Sequence, residues 1–403
     1  MSPYLRMIAA AIVLTVIGQS GRLQGQVPSY ANLYDPLTVL NLNLELDPAD
    51  WQAIKADDSY SIHKPAYFWT DGENKIIVDL KRKPTEASGE KVSLKIDINE
   101  YFDDLQWHGV KKLSLENGAG ASVVKEGMAW YLQRQTVAVC PTYKPPLASW
   151  VNITVNGQLQ GVYANVEQPD KTFLRNRDLW VPNHSWLYKQ GDLGPPELDA
   201  GSGNSPTYLA IGSLPTGYEP NIENLVDVTQ MLVYGAADNF TNNGDGLFTK
   251  GKNFFFADFD AGYSAGKRLY IPWDLDAVFG GKSLSIYEGV PAPFQGQYTQ
   301  LVRDLIDGPL SVDALNGFVS QLEAVLTPSL MADFNSGIGQ SPADIAGHFD
   351  GIRKWITQRH AKVLLEVGAS TAEAPSVPEP ATMLMLAPAT IAVLLRHRRR
   401  IAA

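Results

Sequence analysis

Apolar and polar residues alternate in "LNLNLEL", Leu40 to Leu46, which predicts a strand with one buried face. "DPADWQAIKAD" follows and predicts a helix. Asp47 suits the N-cap, Pro48 the first helical position and Asp50 the third. "KIIVDLKRK" and "KVSLKIDIN" predict two more strands, separated by the loop "PTEASGE". Ser122 to Thr136 reads as a helix with Val124, Met128, Tyr131 and Leu132 on one face. The clearest hairpin is "WVNITVNGQLQGVYANVEQ", where Asn156-Gly157 is the preferred two-residue turn between alternating arms. Gly191 to Pro220 is rich in Gly, Pro and Ser and predicts a long surface loop. Leu225 to Phe240 returns to a helical pattern. Two late helices follow, one over Ser311 to Leu326 and one from Ser341, with Ile345, Phe349, Ile352, Ile356 and Val363 as its apolar stripe. There is no internal repeat. A strand-rich first half and a mostly helical second half argue for an α+β fold with a cleft between two lobes.

One hairpin is embedded in the helical half. Asn253 to Ala257 and Arg268 to Ile271 are short apolar runs joined by the turn-like "DFDAGYSAGK". The second run leads directly into "PWDLDAVFGG", with Asp274 and Asp276 one residue apart. In an antiparallel pair, the residue entering the first strand lies beside the residue leaving the second, about 5 Å away. Asn253, and the preceding loop with Asp245, should therefore meet Asp274 at the open end of the hairpin. Carboxylates that close repel each other unless a cation lies between them. Phosphoryl transfer uses such a set: one acid and an amide for the metal, another acid for the acceptor. The plain alternative for Asp245, and more so for Asp260, is a turn acid satisfied by local hydrogen bonds.

Composition narrows the chemistry. The chain has 403 residues, a formal net charge of −10 and 45% hydrophobic residues, enough for a substantial core. An acidic body without a basic block makes a poor nucleic-acid binder, so no nucleic-acid partner is expected. Cys140 is the only cysteine, so there is neither an internal disulfide nor a thiolate metal cluster. The six histidines show no zinc-ligand spacing, so a metal here would be hard and oxygen-bound, Mg²⁺ or Mn²⁺.

The two ends read as addresses. Residues 1–26 carry an Arg and a short apolar run, Met7 to Ile17, as a secretory signal peptide does. At the other end, Pro378-Glu379-Pro380 precedes an apolar stretch, Ala381 to Leu395, and the cluster "RHRRR". Physically this is a short apolar segment with positive charge on the cytoplasmic side, a membrane anchor. Its order resembles the PEP-CTERM sorting tail of bacterial surface proteins. That implies an exosortase-type processing enzyme as a partner and export to the cell envelope or surface. Residues 368–376 would be a linker before the tail at 377–403.

"KVSLKIDINEYF", "HGVKKLSLENG", "VNGQLQGVYANVEQPDKTFL", "LYKQGD" and "IPWDLDAVFGG" resemble, in order, the signature blocks of the CotH family of atypical protein kinases. The resemblance runs from about Leu37 to about Arg359 and assigns residues 27–367 to a kinase-like domain. It implies a two-lobed kinase-like fold that transfers phosphate from ATP to Ser or Thr of a protein substrate, with Mg²⁺ or Mn²⁺. Asp274 then matches the metal-binding acid, with Asn253 and Asp276 beside it, and Asp245 the catalytic-loop acid. Lys95 is the implied phosphate-binding lysine, with Lys91 its rival, and Glu126 its helix partner. Lys95 and Glu126 also fit solvated faces of their elements. Glu167 stays between two roles, a neighbour of the adenine or an acid closing the strand end, perhaps against Lys171.

Lys125 stands for the Arg of the family's Arg-Glu helix start before Glu126, and the sequence departs from the family in two further places. "KRKPTEASGE" replaces the usual Arg-Gly-x-Ser-Ser-like loop, and Lys252 stands where the family has His before Asn253. These departures, and the scarcity of ATP outside the cytoplasm, favour an alternative: a non-catalytic surface or assembly protein of kinase-like shape. A metal phosphoesterase is a third class, for which no second His and Asp cluster is visible.

Overall fold

The computed structural model describes residues 30–84, 91–118, 122–190, 203–213, 221–281 and 283–372. The signal-type segment, most of the "PTEASGE" loop and the tail at 377–403 lie outside the described residues. Most of Gly191 to Pro220 lies outside as well.

After a short helix α1 (Tyr30–Leu33), seven strands form a closed barrel in the order β1-β2-β3-β4-β5-β7-β6. They are β1 (Val39–Glu45), β2 (Lys64–Thr70), β3 (Ile76–Arg82), β4 (Leu94–Asp97), β5 (Lys112–Glu116), β6 (Ala148–Val155) and β7 (Gln158–Val166). Closure comes from a parallel pairing of β1 with β6, Val39 opposite Trp150 through Leu44 opposite Val155. The Asn156-Gly157 turn adopts positive φ at both residues, 50° and 77°, which matches the right-handed twist of its arms. It is joined to β1 as well: Asn156 N–H donates to Leu44 O at 2.8 Å, and its Oδ1 accepts from Leu46 N–H at 3.0 Å. Inside the barrel Leu42, Leu44, Phe68, Val78, Leu80, Leu94, Ile96, Leu113, Leu115 and Ile153 are fully buried.

The helix predicted after Asp47 is α2 (Pro48–Lys55), with the Asp47 carboxylate accepting from Ala49 N–H. The next, α3 (Ser122–Gln135), buries Val124, Met128 and Leu132 as its sequence stripe requires. Gly127 lets α3 lie close to the barrel: a Cβ there would come within 2.1 Å of the Trp150 ring. Trp150 Nε1–H in turn donates to Val123 O at 3.0 Å.

The second half follows: α4 (Lys171–Arg175), β8 (Ser185–Lys189), α5 (Pro206–Ile211), α6 (Val228–Thr241), β9 (Phe254–Phe259), β10 (Leu269–Pro272), α7 (Gln295–Asp307), α8 (Val312–Asn335) and α9 (Pro342–Ala372). The embedded hairpin is part of a three-stranded sheet, order β10-β9-β8. Strand β8 has no signature in the pattern, because "SWLYK" is buried at four of its five positions and shows no alternation. Helix α9 runs on to Ala372, through the first residues expected to be linker. The chain is thus α+β, and its main core joins α3 to α6, α7, α8 and α9. No described helix is long and apolar enough to cross a membrane.

One buried ion pair ties the small sheet together. Arg268 and Asp258 are both fully buried, 2.6 Å apart at the closest atoms. Arg268 also donates to Gly212 O at 2.6 Å, and Asp258 accepts from the Ser205 hydroxyl. Removing one partner of such a pair strands the other charge. Arg268→Met is expected to lower stability by about 3–5 kcal/mol, measured by urea denaturation. Adding Asp258→Leu to that variant should restore much of the loss.

Candidate functional site: a cationic cleft

Strands β3, β4 and β5 set the floor of the site. Lys81, Lys95 and Ser114 lie opposite one another on one rung, and Asp79, Asp97 and Lys112 on the next. Their neighbours Leu80, Leu94, Ile96, Leu113 and Leu115 fill the barrel, so a period of two sends this polar set to the other face. Most of these charges find partners at once. His63 Nδ1 is 2.5 Å from Asp79, and Lys112 is 3.4 Å from Asp97. Lys83, just past β3, donates to the Ser114 hydroxyl and to the Glu116 carboxylate. The Lys95 ammonium, in the middle, has no hydrogen bond or ion pair among the described residues. Burial, then the Lys112 and Lys81 ammoniums, lower its pKa.

Above this floor is a cleft of about 440 Å³. Its other walls are Glu126 and Trp130 of α3, Gln168 and Asp170 after β7, Phe255 of β9, and Trp273 and Asp274 after β10. Glu126 is 5% exposed, and its near partner is Trp130 Nε1–H at 3.4 Å. Burial, then the Glu116 carboxylate, push the Glu126 carboxyl well above the usual range; Lys83 opposes this and Asp274 adds to it. Lys83, rather than Lys95, is the ammonium that acts on Glu126.

The open end of the hairpin brings two of the predicted residues together. Pro272 lies opposite Phe254, and Trp273 N–H donates to Asn253 O at 3.0 Å, one rung further. Asn253 Nδ2–H then donates to the Asp274 carbonyl at 3.4 Å. Asn253 and Asp274 have φ of 55° and 56°, so both ends leave the ladder through the left-handed region. Asp276 is exposed beyond this exit, and its carbonyl accepts from Val278 N–H at 2.9 Å. Asp245 is on the loop between α6 and β9. Its N–H donates to Asn243 Oδ1 at 3.0 Å, and its carboxylate accepts from Lys250. Among the residues that wall the cleft are Asp274 and Lys95, but not Asp245, Asn253 or Asp276.

Two other predicted residues lie elsewhere. Lys91, before β4, donates to Val162 O at 2.6 Å and sits 3.9 Å from Asp333 of α8. Burial pulls its pKa down to about 8. Lys91 thus fastens β7 to α8, away from the cleft. Glu167 ends β7 and pairs with Arg177 at 2.6 Å while accepting from Leu147 N–H at 2.9 Å. Its partner is Arg177; the Lys171 ammonium lies 4.7 Å from the Trp180 ring.

The family model described as CotH kinase protein matches residues 85–287, which span β4 through the hairpin exit. The chain belongs to the CotH kinase protein family. No curated protein gives a significant match. Membership in a kinase family implies the use of ATP and a divalent metal in general. In this CotH chain Asp274 and the buried Glu126 both wall the cleft, and two carboxyl groups there match the donor chemistry of a hard divalent ion. Mg²⁺ takes one or two carboxylates and completes its shell with phosphate oxygens and water. Among the described residues no three His, Cys, Asp or Glu gather to form an all-protein cage.

The sequence reading passed over Lys81, Lys83, Lys112 and Glu116. A signal was present. "KLSLE" alternates Lys112, Ser114 and Glu116 on one face, and "KRK" ends the strand paired across β4 from it. What was missing was the strand order that lays those faces side by side. Trp273 is half-buried on the cleft wall, with Phe255 and Trp130 against it.

Beneath the Asp245 loop, Asp238 of α6 accepts from Gln133 Nε2–H at 2.9 Å and from Leu247 N–H at 3.3 Å. A Cβ on Gly246 would come within 2.2 Å of its Oδ2, so the loop rests directly on this carboxyl. Burial raises the Asp238 pKa to about 7. The folded chain then holds this proton to a higher pH than the unfolded chain, whose Asp titrates near ~3.9. Between those values the folded state binds more protons, so its stability falls as pH rises. Urea midpoints at pH 4.5 and 7.5 should show a loss on the order of a few kcal/mol from this group. Asp238→Asn, which cannot ionise, should reduce that pH dependence.

Proposed function

We propose that this CotH chain is an exported kinase that transfers the γ-phosphoryl group of ATP to Ser or Thr of surface or secreted proteins, with Mg²⁺ or Mn²⁺. The observation that carries the reading is Lys95, a desolvated ammonium without an acid partner among the described residues, at the centre of a cationic cleft walled by Glu126 and Asp274. In a chain of net charge −10, six cationic side chains line this cleft against four acidic ones. Phosphates are the ligand such a field attracts. The barrel and the helical half act as the two lobes of a kinase-like frame, with residues 27–367 as one domain. The N-terminal segment exports it, and the C-terminal tail holds it at the membrane until an exosortase-type enzyme processes it.

In this mechanism Lys95 takes phosphate oxygens and so fixes the nucleotide. Asp274, with Asn253 and then Asp276, would hold the divalent ion, which would supply neutralisation of the phosphate charge. Asp245 orients the acceptor hydroxyl. The acceptor oxygen bonds the γ-phosphorus as the bond to the β–γ bridging oxygen breaks. The hydroxyl proton passes to the Asp245 carboxylate, and ADP leaves with the electron pair.

A second reading, a non-catalytic surface or assembly protein, is favoured by two observations. Lys250 occupies the Asp245 carboxylate, and Lys252 stands in the family's His position. Thermal shift separates the two. ATP with Mn²⁺ at a hundredfold its dissociation constant should add about 2.7 kcal/mol of stability, and a flat response favours the non-catalytic reading. In the same preparation, Asp274→Ala is expected to abolish transfer of labelled γ-phosphate to a Ser/Thr protein. Equal turnover in that variant would take Asp274 out of the mechanism.

A further inference from the structure

We propose that Lys83 is a second anion-contacting lysine of the cleft and that Glu116 occupies its seat, so that a bound polyphosphate takes Lys83 by displacing the Glu116 carboxylate. The proposal rests on the reading of the cleft as a polyphosphate site, and it adds how that site is closed before the ligand arrives.

The ladder supplies the geometry. Lys83 N–H donates to Ser93 O at 2.8 Å, which carries the β3–β4 pairing one step past Arg82 and fixes where the side chain starts. Its ammonium reaches across β4 to Ser114 and Glu116 of β5. Ser114 lies directly opposite Lys95. The two lysines therefore share Ser114 as a neighbour, one as a hydrogen-bond donor to it and one as its partner on the rung. On the cleft side, the Lys83 ammonium lies 5.6 Å from the ring of Trp273, the residue before Asp274. An anion seated on Lys95 next to Asp274 thus lies within the span of Lys83.

The charges around Lys83 are oversupplied. Glu116 holds it directly, and the buried Glu126 of α3 feels it as well. Glu116 and the Glu126 carboxyl both lie near this one ammonium, so loss of Glu116 still leaves Lys83 an acidic side chain close by. The pair is also partly open, with side-chain exposures of 17% for Lys83 and 20% for Glu116, so the carboxylate has solvent to turn into. A phosphate offers more charge and more acceptor oxygens than a carboxylate, and it makes the stronger charge-assisted bond. Glu116 is thus a self-ligand in the anion seat, and its removal should tighten anion binding.

The probe is inorganic tripolyphosphate, titrated calorimetrically into the full chain, with ATP–Mn²⁺ transfer measured in parallel. Glu116→Gln is expected to bind tripolyphosphate about tenfold tighter than the parent, a gain that a misfolded variant cannot produce. Lys83→Met should bind about tenfold weaker, and Lys83→Arg should keep most of the affinity. In Lys83→Met/Glu116→Gln the gain should vanish, because it acts through Lys83. Unchanged or weaker binding by Glu116→Gln overturns the proposal. So does a gain that persists in the double variant, since Glu116 would then act only through its general field. ATP transfer with Lys83→Met and Glu116→Gln both like the parent keeps the kinase reading and removes this seat. The predicted tripolyphosphate pattern without any ATP transfer keeps the seat and removes the kinase reading.

Discussion

Barrel closure leaves each strand only one face for its polar residues. Once β1 pairs with β6, the inner face of every strand is core, and charge can appear only on the outer side. On β3, β4 and β5 that outer side is not shared with bulk water along its whole length. Helix α3 is seated close by through Gly127 and Trp150, and the β9–β10 exit comes down opposite. Charges that would each be solvated on an open sheet are gathered into a partly desolvated cleft. This is why Lys95 is partly desolvated in the cleft rather than another surface lysine: its charged neighbours on the rungs are cations or paired acids.

Local elements were legible where period and punctuation agree. The Asp47 cap, the Asn156-Gly157 turn, the stripe of α3 and the β9–β10 hairpin all follow from short-range rules, and their ends fall within a residue or two of expectation. Long-range pairing was not legible. Nothing in "LNLNLEL" says that its parallel partner is "WVNITV", more than a hundred residues on. The site shows the same division. Asn253 and Asp274 are neighbours because a hairpin makes them so, and the hairpin is local. Lys83 and Glu116 are neighbours because two strands flank a third, which only the sheet order reveals.

The lysine–glutamate pairing shows how a resemblance and a geometry can differ in detail. The resemblance implies Lys95 with Glu126. The structure sets Lys83 between Glu116 and Glu126 and leaves Lys95 in the centre of the floor. Strand register explains the difference. Lys95 lies opposite Ser114, two residues short of Glu116, whereas Lys83 starts from the end of β3 and reaches diagonally across β4. The two lysines divide between them what one lysine was expected to do. Lys83 answers the acids of β5 and α3, and the Lys95 ammonium is left without an ion pair among the described residues.

The Asp245–Lys250 contact does not by itself decide between the catalytic and non-catalytic readings. Its two side chains are 34% and 59% exposed, and ion pairs in that setting are weak and screened by salt. What is fixed is the backbone beneath. Asp238 holds Leu247 N–H from inside, and Gly246 fits directly against that carboxyl. A loop anchored at its base by a buried acid, with its own acid held only by an exposed lysine, keeps its position while the Asp245 side chain can turn. Under the kinase reading, an acceptor hydroxyl reaching Asp245 would compete only with solvent and one lysine. The cost of placing the loop has already been met in the fold, in the desolvated carboxyl of Asp238.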